Sequence, residues 1–170
     1  MNKIRQASFV HPILSEIQGL NLPQPDQVVV NHGSAMVLHG IRSENIDGDI
    51  DLATSLENVK YLRKYLGWIT VRSKVSPGNE MLATRDSDNN YRFDTHRWMF
   101  SPMRYKKTGK GRIGLDELIK RSIQDVETGI WVATTNLISE TKEGSGRPKD
   151  VEAITLIKEH IKKQRGKRLS

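Results

Sequence analysis

Two aspartates, Asp49 and Asp51, stand at positions i and i+2 of an otherwise apolar run that continues through Leu52. Side chains at i and i+2 of a strand point to the same side, so these two carboxylates would lie together. Acidic residues are poor strand formers, and two such charges are costly in an apolar run unless a cation accompanies them. Mg²⁺ prefers hard oxygen ligands, commonly one or two carboxylates together with substrate phosphates. The spacing therefore predicts a divalent metal site, and the alternative is an exposed edge strand or an aspartate-rich turn.

Two further segments carry residues that suit such a site. Asp94 is a lone acid in a strand-like run, and its alternatives are to face solvent or to pair with Arg92 or Arg97. Gly33 permits close approach of the backbone to a ligand, and the helix expected after it offers amide N–H groups to an anion. Ser34 is expected to contact a phosphate, and its alternative is an ordinary N-cap.

In this order, the Gly-Ser pair, the Asp-x-Asp pair and the later aspartate resemble the nucleotidyltransferase superfamily of DNA polymerase beta. The chain is similar to its small members, which include lincosamide and aminoglycoside nucleotidyltransferases and the nucleotidyltransferase toxins of abortive-infection systems. A second matching segment begins at Trp131 and ends in Arg147-Pro148-Lys149-Asp150, which would open the last helix. The resemblance implies a nucleotidyltransferase fold over most of the chain.

The resemblance also implies a role for each matched residue. Asp49 and Asp51 would bridge two ions, Mg²⁺ or Mn²⁺. Asp94 would hold the ion that activates an acceptor hydroxyl, or would act as its base. Gly33 and Ser34 would bind the phosphates of an NTP.

The second segment supplies three cations that are candidate NTP contacts, Lys142, Arg147 and Lys149. Arginine suits bidentate phosphate recognition and lysine acts as a mobile point charge, although an ordinary basic loop is the alternative. A cation at a helix start opposes the helix macrodipole, which favours a functional role for Lys149. Asp150 suits that dipole, and we expect it to be structural and to orient the loop.

Three positions depart from the pattern of the family, and they leave open whether the site is fully active. Asn45 and Asp47 stand where many relatives have a basic residue or threonine, so a phosphate contact is missing or Arg42 replaces it. Ala153 stands where the last helix of relatives often has a second aspartate.

The charge balance bears on the acceptor. The 170 residues include 27 Lys and Arg against 20 Asp and Glu, a formal net charge of +7. A cationic protein attracts polyanions, and cationic side chains that neutralise phosphates release counterions. We therefore expect a mobile basic loop to contact nucleic acid through Lys106, Lys107, Lys110 and Arg112. The basic C-terminal helix or tail from about residue 158 is either a second such contact or is simply solvated.

The leading hypothesis is thus transfer of an NMP from an NTP to a hydroxyl of RNA, as in the toxin-like relatives, with tRNA as the acceptor. Nucleotidylation of a small molecule such as an antibiotic is the first alternative, and a catalytically silent RNA-binding module is the second. Cysteine is absent, which excludes disulfides, thiolate metal sites and a cysteine nucleophile. Without an apolar leader or a membrane-length run, we expect a cytoplasmic protein.

Hydrophobic periodicity predicts one domain over 1–170 in which helices alternate with a mixed, mostly antiparallel sheet, an α+β two-layer fold. Strands are expected at 28–30, 49–53, 68–71, 81–84, 91–94 and 130–132. Ser55 is expected to cap a helix whose inward residues are Leu56, Val59, Leu62 and Leu66. Pro148 is expected to open a last helix with Val151, Ile154, Ile157 and Ile161 inward.

Overall fold

The computed structural model describes residues 10–44, 48–72, 80–85, 91–96, 98–100 and 107–167. At 71–72, 80–82, 84–85, 91–96 and 98–100 the description covers the backbone alone. The sequence predictions that lie outside the described residues concern Asn45, Asp47, Arg97 and Lys106.

Helices and strands alternate along the chain. The described helices are α1 (Pro12–Gln18), α2 (His32–Leu38), α3 (Leu56–Tyr65), α4 (Leu115–Lys120), α5 (Thr135–Lys142) and α6 (Pro148–Lys167). The described strands are β1 (Val28–Val30), β2 (Ile50–Thr54), β3 (Ile69–Arg72), β4 (Glu80–Arg85), β5 (Tyr91–His96), β6 (Trp98–Phe100), β7 (Arg112–Gly114), β8 (Ser122–Gln124) and β9 (Trp131–Ala133).

Seven of the described strands form one mixed sheet, in the order β3-β4-β5-β2-β1-β9-β8, and β6 pairs separately with β7. The pairs β2–β5 and β1–β9 are parallel, and the remaining neighbours are antiparallel. With helices flanking this sheet, the predicted α+β two-layer fold is confirmed. Because β2 lies between β5 and β1, the edge-strand alternative for Asp51 is wrong.

The core lies around β1 and the helices that cover it. Val28, Val29 and Val30 are fully buried, as expected for a β-branched run in the interior of a sheet. Buried side chains from the helices pack in the same cluster, among them Met36 of α2, Leu137 and Ile138 of α5 and Ile157 of α6. This core holds the carboxyl end of β1 and the start of α2 in place.

Two helix faces differ from the predicted ones. Ser55 caps α3 through the N–H of Asn58, as predicted, but Leu56 and Leu66 are exposed. The inward position in the first turn belongs to Asn58, whose side-chain amide donates to the carbonyl of Gln24 and to Thr54 Oγ1. Apolar spacing alone did not reveal this, because the carbonyl of Gln24 comes from a distant part of the chain.

The last helix starts at Pro148, as predicted, and continues to Lys167. Ala153 and Ile157 are buried, whereas Val151 is exposed, so its predicted inward position is wrong. The basic run from residue 158, predicted as a helix or tail, is helical as far as Lys167. None of the helices in the described ranges combines the length and apolarity needed to cross a bilayer.

Candidate functional site

The turn between β1 and α2 is tight and fixed to the neighbouring strand. The N–H of Asn31 donates to the carbonyl of Asp51 at 3.0 Å. His32 follows with φ of 45°, a left-handed backbone conformation that non-glycine residues adopt rarely and usually at some energetic cost. Such conformations tend to occur where the fold must place a turn for function, and this one lies directly before Gly33.

Ser34 joins this turn to the start of β2. Asn31 occupies the N-cap position of α2, so Ser34 lies in the first helical turn and its alternative as an N-cap is wrong. Ser34 is fully buried, and its Oγ donates to the backbone carbonyl of Asp49 at 3.1 Å. The sequence did not predict this bond, since it joins residues fifteen positions apart.

The two aspartates of the Asp-x-Asp pair differ in backbone setting. Asp49 lies one residue before β2, so the predicted strand start is one residue too early, and Asp51 lies within the strand. Both residues are partly exposed. The Oδ1 atom of Asp49 is itself buried. Carboxylates are the ligands that Mg²⁺ prefers, so the chemistry of this donor set fits the predicted ion.

The third aspartate lies beside the pair in the sheet. Asp94 on β5 is the register partner of Asp51 on the parallel strand β2. It is also paired with Ala83 of β4, the strand that runs antiparallel to β5 on its other side. Neighbouring strands lie about 4.8 Å apart, which brings the backbones of Asp51 and Asp94 side by side. The side chains that the structure describes exclude Asp94 and form no group of three metal-ligating residues, so the metal triad stays a prediction.

At the carboxyl end of β1, the side-chain oxygen of Asn31 is buried without a described hydrogen-bond partner. The residue is 1% exposed, and its Oδ1 has no hydrogen-bond partner among the described residues. Buried polar atoms are nearly always hydrogen-bonded, and the exceptions concentrate at sites that hold strain, water or an ion. This atom therefore marks the carboxyl end of β1 as a place where packing alone does not satisfy the polar groups.

A cleft of about 380 Å³ opens beside Ser34 and Asp49. Its other polar lining residues are His11, Ser43 and Glu44, and its apolar and glycine lining consists of Pro12, Ile13, Val37, Gly48 and Ile50. The described lining thus includes two carboxylates and no lysine or arginine.

His11 is a lining residue that sequence reasoning missed. It is the N-cap of α1, and its Nδ1 accepts the N–H of Ile13 at 3.2 Å. The available signal was Pro12, because proline favours the first helical position and so marks the preceding residue as the cap.

Asp150 is the centre of a second polar cluster, at the start of α6. Its carboxylate is fully buried and accepts from Lys142 Nζ at 2.8 Å, Ser145 Oγ at 2.7 Å and Arg147 Nε at 2.6 Å. Burial opposes ionisation of Asp150, but these three hydrogen bonds outweigh it and lower the pKa to about 2. The expectation that Asp150 orients the loop is confirmed.

This cluster changes the interpretation of the predicted NTP contacts in the same segment. Lys142 is almost fully buried and bound to Asp150, while the half-exposed Arg147 side chain holds the same carboxylate. Lys149 is exposed. Arg42, the suggested substitute phosphate contact, is largely buried, and its Nη2 lies 3.6 Å from Glu152 on α6. Binding of NTP by these cations stays a prediction.

The basic segment before α4 is more ordered than the predicted loop. Lys107 lies in a helical turn, and Lys110 follows it in an irregular stretch. Arg112 is the first residue of β7 and pairs with Phe100 of β6, so its assignment to a loop is wrong. All three described cations are exposed, which is compatible with a contact surface.

Comparison of the chain with protein-family models, with curated proteins and with solved structures finds no match. The resemblance to nucleotidyltransferases therefore rests on the residue pattern of the sequence and stays a prediction.

Proposed function

We propose that the chain is a metal-dependent nucleotidyltransferase that moves an NMP from an NTP onto an acceptor hydroxyl. One observation carries the proposal: Asp51 and Asp94 are register partners on parallel neighbouring strands, and Asp49 directly precedes the same strand. Ser34 adds to it, because its hydroxyl fixes Asp49 to the turn that contains Gly33. The three segments that carry these residues are thus neighbours in the fold, which supports the proposal.

In the proposed reaction, the acceptor oxygen attacks the α-phosphorus while the bond to pyrophosphate breaks and the hydroxyl loses its proton. Asp49, Asp51 and Asp94 would hold two Mg²⁺ or Mn²⁺ ions, which stabilise the negative charge on the attacking and leaving oxygens. Asp94 is also the candidate base for the hydroxyl proton. Gly33 has no side chain to keep a phosphate away from the turn, and the hydrogen bond from Ser34 holds the backbone of Asp49 in position.

For the acceptor we propose RNA, and tRNA in particular. The net charge of +7 and the exposed cations Lys107, Lys110 and Arg112 support this choice. Phosphate neutralisation by such side chains supplies sequence-independent affinity for nucleic acid.

The test is transfer of label from each of the four α-³²P NTPs, with Mg²⁺, into total tRNA and into a panel of aminoglycoside and lincosamide antibiotics. We expect label in tRNA. Asp51→Asn and Asp94→Asn should lower transfer by about a hundredfold or more, because a carboxamide is a much weaker ligand for a hard cation than a carboxylate. The matched control is Asp116→Asn, which changes an exposed acid on α4.

The outcomes separate the parts of the proposal. Near wild-type transfer by Asp51→Asn would show that the assigned metal site is wrong. Label in the antibiotics and none in tRNA would replace the RNA acceptor by a small molecule. Label in neither would contradict the proposed transferase activity.

A further inference from the structure

The cleft beside Ser34 and Asp49 has the size and position of a binding site for part of a substrate. Its volume of about 380 Å³ lies within the range of small-molecule pockets. It adjoins the proposed metal site through Asp49 and the phosphate turn through Ser34. A group bound there would therefore be continuous with a triphosphate at the metal site.

The charge of the cleft indicates which part of a nucleotide it suits. Glu44 and Asp49 are in its lining, and the described lining has no lysine or arginine. Asp49 belongs to the proposed metal site, where an ion would offset its charge, but Glu44 would repel a triphosphate and not an uncharged group. The apolar part of the lining, Pro12, Ile13, Val37 and Ile50, suits the flat face of a base.

His11 supplies a hydrogen-bond donor of defined position. Because its Nδ1 accepts the Ile13 N–H, that nitrogen carries no proton, and the proton of the neutral ring is on Nε2. Among the described residues, no hydrogen-bond partner of Nε2 is present. The hydrogen bond from the Ile13 N–H thus fixes the tautomer of His11 and leaves Nε2–H as the ring donor for a ligand.

We infer that this cleft binds the nucleoside part of the NTP and that His11 Nε2–H donates to an acceptor atom of the base or ribose. This inference rests on the proposed nucleotidyl transfer. It assigns His11 a role in NTP affinity and specificity, while the chemical step belongs to the three aspartates.

His11→Asn tests the inference without removing the cap, since asparagine is among the best N-cap residues and its Oδ1 can replace Nδ1 as the acceptor. The probes are non-hydrolysable analogues of the four NTPs and inorganic triphosphate, titrated calorimetrically with Mg²⁺. We expect His11→Asn to weaken the preferred analogue about three- to tenfold, as for one lost hydrogen bond, and to leave triphosphate affinity unchanged. His160→Asn, a half-buried histidine on α6 outside the cleft, is the matched control.

Steady-state kinetics provide the second measurement, in which His11→Asn should raise the KM for NTP with little change in kcat. A rise in the acceptor KM instead would assign the cleft to the acceptor and overturn the inference. Unchanged analogue affinity in His11→Asn would overturn it as well, while the proposed activity would stand if wild type binds and uses NTP. Wild type that binds none of the analogues would contradict the proposed function itself.

Discussion

The carboxylate of Asp150 and those of Asp49 and Asp51 are held in two different ways. Asp150 is fully buried and accepts hydrogen bonds from two cationic side chains and a hydroxyl. Asp49 and Asp51 are partly exposed at the end of the central strands, where the buried Oδ1 of Asn31 has no described partner. The first carboxylate is enclosed by its three donors, whereas Asp49 and Asp51 retain partial exposure to solvent.

This difference separates a structural charge cluster from a candidate reactive one. A buried carboxylate with three donors stabilises the conformation around it, and removing it leaves the charges that it neutralised without a partner. Partly exposed carboxylates two residues apart, such as those of Asp49 and Asp51, repel one another, and a bound cation relieves that repulsion. Loss of the Asp150 carboxylate should therefore lower stability, and loss of the Asp49 or Asp51 carboxylate should lower activity.

The largest expected effect is on the stability of Asp150→Ala. The substitution leaves Lys142 as a buried ammonium without its carboxylate, and we expect it to lower the free energy of unfolding by about 3–5 kcal/mol. Asp51→Asn should change that free energy by less than about 1 kcal/mol, because the residue is partly exposed and the shape is kept. Urea unfolding of both variants measures the contrast. Equal destabilisation by the two substitutions would show that Asp51 is as important for stability as Asp150, which would contradict the distinction between a structural and a reactive cluster.

Acid pH should weaken the Asp150 cluster in a defined range. The pKa of Asp150 is lowered from 3.8 to about 2 in the folded protein, so folding favours the ionised form. The stabilisation is complete above the unfolded pKa and is lost as pH falls through the folded pKa, between about 4 and 2. It amounts to about 2 kcal/mol. Unfolding free energies of wild type and Asp150→Asn should therefore converge as pH falls through this window, and a constant difference between them would contradict the assignment.

Local sequence signals predicted much of the fold. The valine run of β1, the Ser55 cap and Pro148 at the start of α6 each act through neighbouring residues, and all three appear in the structure. The exposed positions of Leu66 and Val151 could not be predicted, because the width of an apolar face depends on what packs against it.

The relative positions of the candidate site residues could be predicted only in part. Asp51 beside Asp94 follows from two strand-like runs, but their shared register depends on sheet order, which the spacing does not contain. Lys142 and Arg147 are basic residues in a loop in the sequence, and only the fold shows them bound to Asp150. The Ser34 bond to Asp49 and the position of His11 at the cleft likewise depend on segments that fold together.

The smallest expected effect concerns Ser34. It tests whether the Ser34–Asp49 hydrogen bond supports activity or only stability. Ser34→Ala removes a buried hydroxyl that donates to the carbonyl of Asp49, at a cost of about 1 kcal/mol in unfolding free energy. Ser122→Ala is the matched control, since Ser122 Oγ donates to the carbonyl of Leu118 at 2.7 Å, outside the site. The two variants should lose similar stability in urea unfolding.

Only Ser34→Ala should affect transfer. Without the hydroxyl, Asp49 is no longer fixed to the turn that contains Gly33, so the first carboxylate should be held less firmly. Transfer should fall about tenfold, because a displacement of even about 1 Å at a reacting centre can cost more than that. Equal transfer by Ser34→Ala and Ser122→Ala, at equal stability, would contradict this expectation. The Ser34–Asp49 hydrogen bond would then stabilise the fold alone, as the hydrogen bonds of Asp150 do, and Ser34 would have no part in the candidate site.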